Sequence, residues 1–180
     1  MVATFNALVF RLEQAPYALA PSVASLVFLC YLAGTITSRL SSALLRTVGP
    51  RVTMAMGGGL LCVGILGTLA EPLWLVVVGV AILTSGMFLA HSAANAHVAR
   101  VSPDGRQHAV ALYSVTYYVG SSLLGAAGAV AWVTGGWFAL TATVCALGLG
   151  VVLLSLTVGS GRRDRADPVV ARVVLELDQA

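Results

Sequence analysis

Long apolar stretches recur down the chain, and short segments rich in arginine, proline or glycine separate them. Five stretches reach about 20 residues, the length that a helix needs to cross a bilayer. They lie at about residues 22–42, 52–70, 73–98, 108–132 and 137–158. Residues 1–10 are apolar but supply only about half a span, so we predict the second half of a helix there. The pattern predicts an all-α, polytopic membrane bundle of five full transmembrane helices and one partial N-terminal helix.

The last polar stretch predicts a boundary between two regions. From Gly159 onwards the chain is polar and charged, with Arg162, Arg163 and Arg165 close together. We therefore predict a membrane-embedded helical bundle over residues 1–158 and a polar tail over residues 159–180.

The composition excludes a soluble globular protein. Of the 180 residues, 58% are hydrophobic and only 9% are charged, whereas a soluble domain carries about 25% charged residues. The net charge is +3, but the arginines are distributed among separate loops, so we predict no nucleic-acid partner. The lipid bilayer is the predicted surrounding of the chain.

The arginines also predict the orientation of the helices. When the crossings are counted, nine of the ten arginines fall on one side of the membrane, and Arg11 alone falls on the other. Because short cytoplasmic loops are enriched in arginine and lysine, the nine indicate the cytoplasmic side. The tail and the C-terminus are therefore predicted to be cytoplasmic, and the Glu71-Pro72 and Gly135-Gly136 turns to face outwards.

No motif of an enzyme is present in the sequence. It contains no Walker motif, nucleophile elbow or pair of metal-ligand motifs. Its three cysteines, Cys30, Cys62 and Cys145, all fall inside predicted spans and lack the spacing of a metal site. We predict a protein that is not an enzyme and that needs neither a cofactor nor a metal.

His91 lies about midway along the third predicted span, where a histidine is costly to place. Asn95 follows it at i+4 and Thr84 precedes it at i−7, so the three share one helical face. This face is a candidate wall of a solute pathway, on which His91 binds substrate or carries a proton. The alternative is structural, with His91 hydrogen-bonded to a serine or a carbonyl group of a neighbouring helix.

A second polar face lies on the fourth predicted span. Tyr113, Thr116 and Tyr117 follow helical spacing and are candidates for the same pathway. Since a loop of about ten residues joins the third and fourth spans, we expect antiparallel neighbours whose polar faces turn inwards. Plain helix packing is the alternative for Tyr117.

Tyr31, Thr35 and Ser38 form a weaker stripe on the first full span. Tyr31 and Thr35 are further candidates for the pathway. The alternative is that these hydroxyl groups bond to carbonyl groups of their own helix, as serine and threonine often do in membranes.

One partial helix and five full ones, with a basic loop between the first two full spans, resemble the C-terminal six-helix half of a major facilitator superfamily transporter. The family's loop motif is Gly-x-x-x-Asp-Arg-x-Gly-Arg-Arg/Lys, and the stretch from Ser42 to Arg51 corresponds to it. Gly49 and Arg51 match the motif, whereas Arg46 replaces its acidic residue. The resemblance implies a cytoplasmic loop motif at Arg46, Gly49 and Arg51.

Several short stretches resemble one branch of that family, the arabinose-efflux-like permeases for sugars or drugs. They are His91-Ser92, Ala111-Leu-Tyr113, Tyr117-Tyr118-Val-Gly120-Ser121-Ser122 and Gly136-Trp137. The resemblance covers about residues 3–158 and implies that the N-terminal half is missing from this chain. A truncated gene, a split reading frame and a wrongly assigned start codon are the three explanations.

The resemblance implies a secondary transporter in a bacterial inner (plasma) membrane that exports a small organic solute by alternating access, coupled to protons. None of the seven acidic residues lies inside a predicted span. The coupling acid therefore lies in the missing N-terminal half, which a separate gene can encode, or His91 takes its place, or the chain is uncoupled. The alternative function is a non-transporting membrane subunit that packs against a partner membrane protein.

Overall fold

The computed structural model describes residues 1–158, and every regular element in that range is a helix. A 3-10 segment, Ser25–Cys30, lies between the second and third helices. The helices in chain order are α1 (Val2–Glu13), α2 (Pro21–Ala24), α3 (Tyr31–Thr47), α4 (Gly49–Gly67), α5 (Leu73–Val101) and α6 (Arg106–Ser155).

Four helical segments in the described range are long and apolar enough to cross a membrane. They are Pro21–Thr47, Gly49–Gly67, Leu73–Val101 and Arg106–Ser155. The predicted all-α membrane fold is confirmed, but the predicted count of five full spans is not matched. With 12 residues, α1 extends only about 18 Å, well short of a bilayer core of about 30 Å.

The difference in the count comes from α6, which joins the fourth and fifth predicted spans in one element of 50 residues. Its backbone leaves helical angles at Gly135 (φ −138°, ψ 15°) and Gly136 (φ 61°, ψ −152°). Positive φ is readily accessible to glycine, which has no Cβ atom. Tyr117 and Val151 line the same cavity, although 34 residues of straight helix would separate them by about 51 Å. The two arms of α6, residues 106–134 and 137–155, therefore fold back along each other.

The central contact of the bundle is between α4 and α5, and glycines make it close. A Cβ atom placed on Gly57 would lie 2.6 Å from the backbone nitrogen of Ala90. One placed on Gly64 would lie 2.6 Å from the Cα atom of Leu83. Small residues let helix backbones approach each other in this way in a membrane. The glycines of α4 therefore bring α5 close enough for backbone-to-backbone packing.

Other glycines bring the second arm of α6 against α4. A Cβ atom on Gly58 would lie 2.7 Å from the carbonyl oxygen of Gly148, and the thiol of Cys62 packs against Gly148. Consequently α4 is held between α5 on one side and the second arm of α6 on the other.

A polar and aromatic cluster closes one end of the bundle, which we call the Glu71 end. Nη1 of Arg11 donates a hydrogen bond of 2.6 Å to the carbonyl oxygen of Thr68, and its guanidinium carbon lies 4.8 Å from the ring centroid of Trp137. The indole nitrogen of Trp137 donates to the hydroxyl of Thr68 at 3.1 Å. The hydroxyl of Tyr17 donates to the carbonyl oxygen of Glu71 at 2.7 Å. This cluster joins α1, the α4–α5 turn and the Gly135-Gly136 bend.

The opposite end, which we call the Asp104 end, carries the α3–α4 and α5–α6 connections. Gly49 begins α4 with a φ of 83°, and Arg46 and Arg51 lie on either side of it in the sequence. Arg46 is exposed and Arg51 is half-buried. The predicted tail, residues 159–180, lies outside the described residues.

Candidate functional site

His91 contacts the first arm of α6 through a direct hydrogen bond. The Tyr113 hydroxyl oxygen lies 2.9 Å from Nδ1 of His91 and 3.3 Å from the backbone carbonyl oxygen of the same residue. With the proton on Nε2, the neutral imidazole accepts at Nδ1 and the tyrosine hydroxyl donates. Since a tyrosine hydroxyl also accepts hydrogen bonds, the pair stays bonded when His91 takes up a proton and Nδ1 becomes the donor.

Tyr117 holds the other side of the imidazole, one helical turn further along α6. The ring centroids of His91 and Tyr117 are 4.3 Å apart, with an angle of 44° between the ring planes. Tyr118 is 68% exposed and its ring packs edge-on against Tyr117. The structure thus brings His91, Tyr113 and Tyr117 into one cluster between α5 and α6.

The other two members of the His91 face have different surroundings. Oδ1 of Asn95 is buried and has no hydrogen-bond partner among the described residues. Thr84 is fully buried, and its hydroxyl donates to the carbonyl oxygen of Val80 on its own helix at 2.7 Å. Asn95 therefore keeps a free acceptor one turn from His91, whereas the Thr84 hydroxyl donates within α5.

Three further candidates make contacts outside the histidine cluster: Thr116 and Thr35 form hydrogen bonds within their own helices, and Tyr31 packs against α1. The hydroxyl of Thr116 donates to Leu112 in its own helix at 2.9 Å, and that of Thr35 donates to Tyr31 at 3.1 Å. The ring of Tyr31 stacks on Phe5 of α1 at a centroid distance of 4.6 Å. Tyr31 thus packs against α1, whereas Thr35 is exposed on α3.

A cavity of about 310 Å³ lies beside the cluster, between α1, α4, α5 and both arms of α6. Tyr117 and Thr116 line it together with Met87 of α5 and Gly120 and Ser121 of α6. Its volume is at the lower end of the range of small-molecule sites, about 300–1,000 Å³. Tyr117 therefore links the imidazole of His91 to a space that a small solute can occupy.

Sequence reasoning did not single out several residues that line this cavity. Thr4 comes from α1, Met87 from α5 and Thr143 from the second arm of α6. The cavity depends on how α1 and the second arm of α6 pack, and the predicted spans contain no signal for either contact. Ser121, which the sequence analysis names only within a stretch that resembles the family, also lies on the cavity wall.

Within residues 1–158, no group of three or more metal-ligating side chains lies together. The site consists of an imidazole, tyrosine and small hydroxyl groups, and an amide. Such groups bind by hydrogen bonding and pass protons, and they do so between two helices rather than at a surface.

Comparisons with known proteins give one consistent answer. The sequence matches the family described as the Major Facilitator Superfamily over residues 2–176. An inner membrane transport protein of Escherichia coli (strain K12), YnfM, is 33% identical over 153 residues. An uncharacterized MFS-type transporter of Bacillus subtilis (strain 168), YybF, is 29% identical over 154 residues. An uncharacterized transporter of Buchnera aphidicola subsp. Baizongia pistaciae is 25% identical over 153 residues.

These matches cover most of this chain but a minor part of each relative. They take in 84% to 86% of the chain, and 36% to 38% of the length of the three relatives. The chain thus spans little more than a third of the curated relatives it matches. No solved structure matches it.

Proposed function

The chain belongs to the major facilitator superfamily, and we propose that it forms the C-terminal half of a secondary transporter that exports a small organic solute. In such proteins the substrate site lies near the bilayer midplane between two halves, which rock against each other in alternating access. The proposal therefore includes an N-terminal half, encoded separately or upstream, against which this chain packs. The membrane is a bacterial inner membrane, and lipid and solute are the expected contacts of the chain.

One observation carries this proposal: His91, in the third long helix, is held between two tyrosines, one of which lines a cavity. Its bond to Tyr113 measures 2.9 Å, and Tyr117 both packs on the imidazole and lines the cavity. Polar and ionisable groups inside a membrane are costly, and they usually serve a pathway for solute or protons. His91, Asn95, Tyr113 and Tyr117 are the pathway residues that we propose, with Thr84, Thr116, Tyr31 and Thr35 in supporting positions.

Proton coupling in this half would depend on His91. The described acidic residues, Glu13, Glu71 and Asp104, lie outside the long apolar windows or at helix ends. Histidine changes its charge near neutral pH and carries protons in many proteins. We propose that His91 takes and releases the coupled proton, with Tyr113 as its hydrogen-bond partner in both protonation states.

We further propose that the bend in α6 separates two spans. The arms over residues 106–134 and 137–155 contain 29 and 19 residues. At about 1.5 Å per residue both are close to a bilayer core of about 30 Å or longer. With both arms crossing, the nine arginines share one side with the Asp104 end, and the Glu71 end faces outwards.

A labelling experiment tests this orientation. A cysteine introduced at Gln14 or Gly135, both exposed at the Glu71 end, should react with a membrane-impermeant maleimide in intact cells. A cysteine at Asp104, also exposed, should react only after the cells are opened, since the arginine bias makes that end cytoplasmic. Labelling of the Asp104 position from outside would contradict the orientation.

A flux measurement tests the solute pathway. Tyr117→Phe removes one hydroxyl from the cavity wall and should slow solute export by at least about tenfold, the equivalent of about 1.4 kcal/mol. Export is measured in vesicles that contain this half together with an N-terminal half, at matched expression. Tyr118→Phe is the control, because it removes the same hydroxyl from a neighbouring residue that is 68% exposed. Equal rates for the two variants would count against a pathway at Tyr117.

A further inference from the structure

From the lining of the 310 Å³ cavity we infer the class of solute that it takes. The solute is uncharged, mostly apolar, and carries a hydrogen-bond acceptor that faces Tyr117 and Ser121. This inference rests on the proposed function for the idea that the cavity is a solute site. It adds that neither an ion nor a polyhydroxylated sugar is the ligand of this half.

The first support is the charge of the lining. Eighteen residues line the cavity, and none of their side chains carries a formal charge; the α-amino group of Met1 is the one charged group that these residues bring. An ion moved from water against these side chains loses its hydration without gaining an opposite charge from them, which costs several kcal/mol or more. An uncharged solute avoids this cost. The side chains of the cavity therefore discriminate against anions and cations alike.

The second support is the small number of available hydrogen-bonding groups. Thirteen of the eighteen lining residues are glycine, methionine or aliphatic residues, and the polar side chains are all hydroxyls. They belong to Thr4, Thr116, Tyr117, Ser121 and Thr143. A sugar carries a hydroxyl on nearly every carbon atom, and each hydroxyl left without a partner on burial costs about 1–3 kcal/mol. The lining therefore favours a solute with few polar groups.

The third support is that only some of the lining hydroxyl groups are available to bind a solute. The hydroxyls of Thr116 and Thr143 donate to the carbonyl oxygens of Leu112 and Ala139 in their own helices, each at 2.9 Å. Tyr117 and Ser121 make no hydrogen bond within the described residues. Their hydroxyls remain free to donate, and they lie one helical turn apart on α6. A carbonyl or ether oxygen on the solute is the acceptor that this pair fits.

The volume limits the size of the solute. At about 310 Å³ the cavity lies at the lower end of the range of small-molecule sites, about 300–1,000 Å³. A fused two-ring compound with one carbonyl group is of this order, so 2-acetylnaphthalene is a suitable neutral probe. Its carboxylate analogue, 2-naphthoate, and its cationic analogue, 2-naphthyltrimethylammonium, share the apolar body and differ in charge.

The test is protection of a cysteine in the cavity wall. The chain, with its three native cysteines replaced by alanine, carries Gly120→Cys and is placed in lipid nanodiscs; Gly120 lines the cavity, and nothing lies within 4 Å of a Cβ atom added there. The rate of reaction with N-ethylmaleimide is measured with each probe. At about four times its Kd a bound probe leaves about one fifth of the sites free, so labelling slows about fivefold. The control is Thr134→Cys, at an exposed position outside the cavity.

The expected result is protection of Gly120→Cys by 2-acetylnaphthalene alone, with no probe affecting Thr134→Cys. A second variant, Thr143→Asp, adds a negative charge to the lining and should transfer protection to 2-naphthyltrimethylammonium. Equal or better protection of Gly120→Cys by a charged probe overturns the inference. Protection by no probe, in protein that keeps its thermal transition, overturns it as well.

Binding and flux separate this inference from the proposed function. If the ketone protects the cysteine but vesicles that contain both halves show no solute flux, the inferred solute class is supported and the transport proposal is wrong. If a charged solute is transported in a way that depends on Tyr117, and the ketone gives no protection, the transport proposal is supported and the inferred solute class is wrong.

Discussion

Replacement of Gly64 by alanine is expected to destabilise the helix bundle more than any other single-methyl change in α4. A Cβ atom at this position lies 2.6 Å from the Cα atom of Leu83 and 2.7 Å from the carbonyl oxygen of Gly79. Both are backbone atoms of α5, which no rotamer change can move away. The helices must separate, and overpacking of this kind costs about 1–3 kcal/mol. Gly64→Leu should prevent recovery of folded protein altogether.

The measurement is the thermal unfolding midpoint of the purified chain in detergent. Gly64→Ala should lower the midpoint by roughly 2–12 °C, if about 1 kcal/mol corresponds to 2–4 °C in a chain of this size. Gly59→Ala is the matched control, because nothing lies within 4 Å of an added Cβ atom there. A midpoint for Gly64→Ala equal to that of Gly59→Ala would show that the α4–α5 contact is looser than the structure has it.

The same pair of glycines shows how far the sequence could predict the fold. The glycine-rich composition of α4 predicts close helix contacts, and the structure has such contacts. In sequence, however, Gly58, Gly59 and Gly64 look alike. Gly58 meets the second arm of α6, Gly64 meets α5, and Gly59 meets open space. The arrangement of the whole bundle determines which neighbouring helix each face contacts. The spacing of residues within one helix does not reveal that neighbour.

The bend in α6 illustrates a second limit. Gly135-Gly136 predicts a tight turn between two spans, and Gly136 indeed has a positive φ. The backbone leaves helical angles at both glycines, so the element Arg106–Ser155 consists of two helical arms that this bend joins. Hydropathy locates where a chain can reverse direction. It does not determine the backbone angles of the bend or how closely the two arms then pack.

The candidate site was predicted in part, for related reasons. Helical spacing places Thr84 on the face of His91, but it does not show that the Thr84 hydroxyl bonds to Val80. Spacing and a short loop do predict that His91 and Tyr113 lie on neighbouring helices. The 2.9 Å bond between them depends on the axial register of α5 against α6, which the length of the loop leaves open.

His91→Gln is expected to lower solute flux by at least about tenfold, or about 1.4 kcal/mol, and to remove its dependence on pH. Glutamine keeps the ability to accept and donate hydrogen bonds but does not titrate. Histidine changes its charge between about pH 5 and 8, whereas the contacting groups, Tyr113 and Tyr117, ordinarily titrate near pH 10. In vesicles that contain both halves, the wild type should therefore show a pH-dependent rate in this range, and His91→Gln a flat one. The control is His108→Gln, at an exposed position at the start of α6.

A double-mutant cycle shows whether His91 and Tyr113 act as a unit. If the hydroxyl of Tyr113 serves His91 through their 2.9 Å bond, Tyr113→Phe should also slow flux, and the double variant should be no slower than the slower single variant. Residues in one hydrogen-bonded network are coupled in this non-additive way, whereas independent residues give effects that add. Fully additive losses, or a His91→Gln variant with wild-type rate and pH profile, would reduce the cluster to a packing contact. Because the bond can reverse its direction when the imidazole is protonated, the pair needs no carboxylate to hold the proton. A flat profile for His91→Gln together with non-additivity would therefore identify this pair as the coupling group of a half whose spans were predicted to contain no acid.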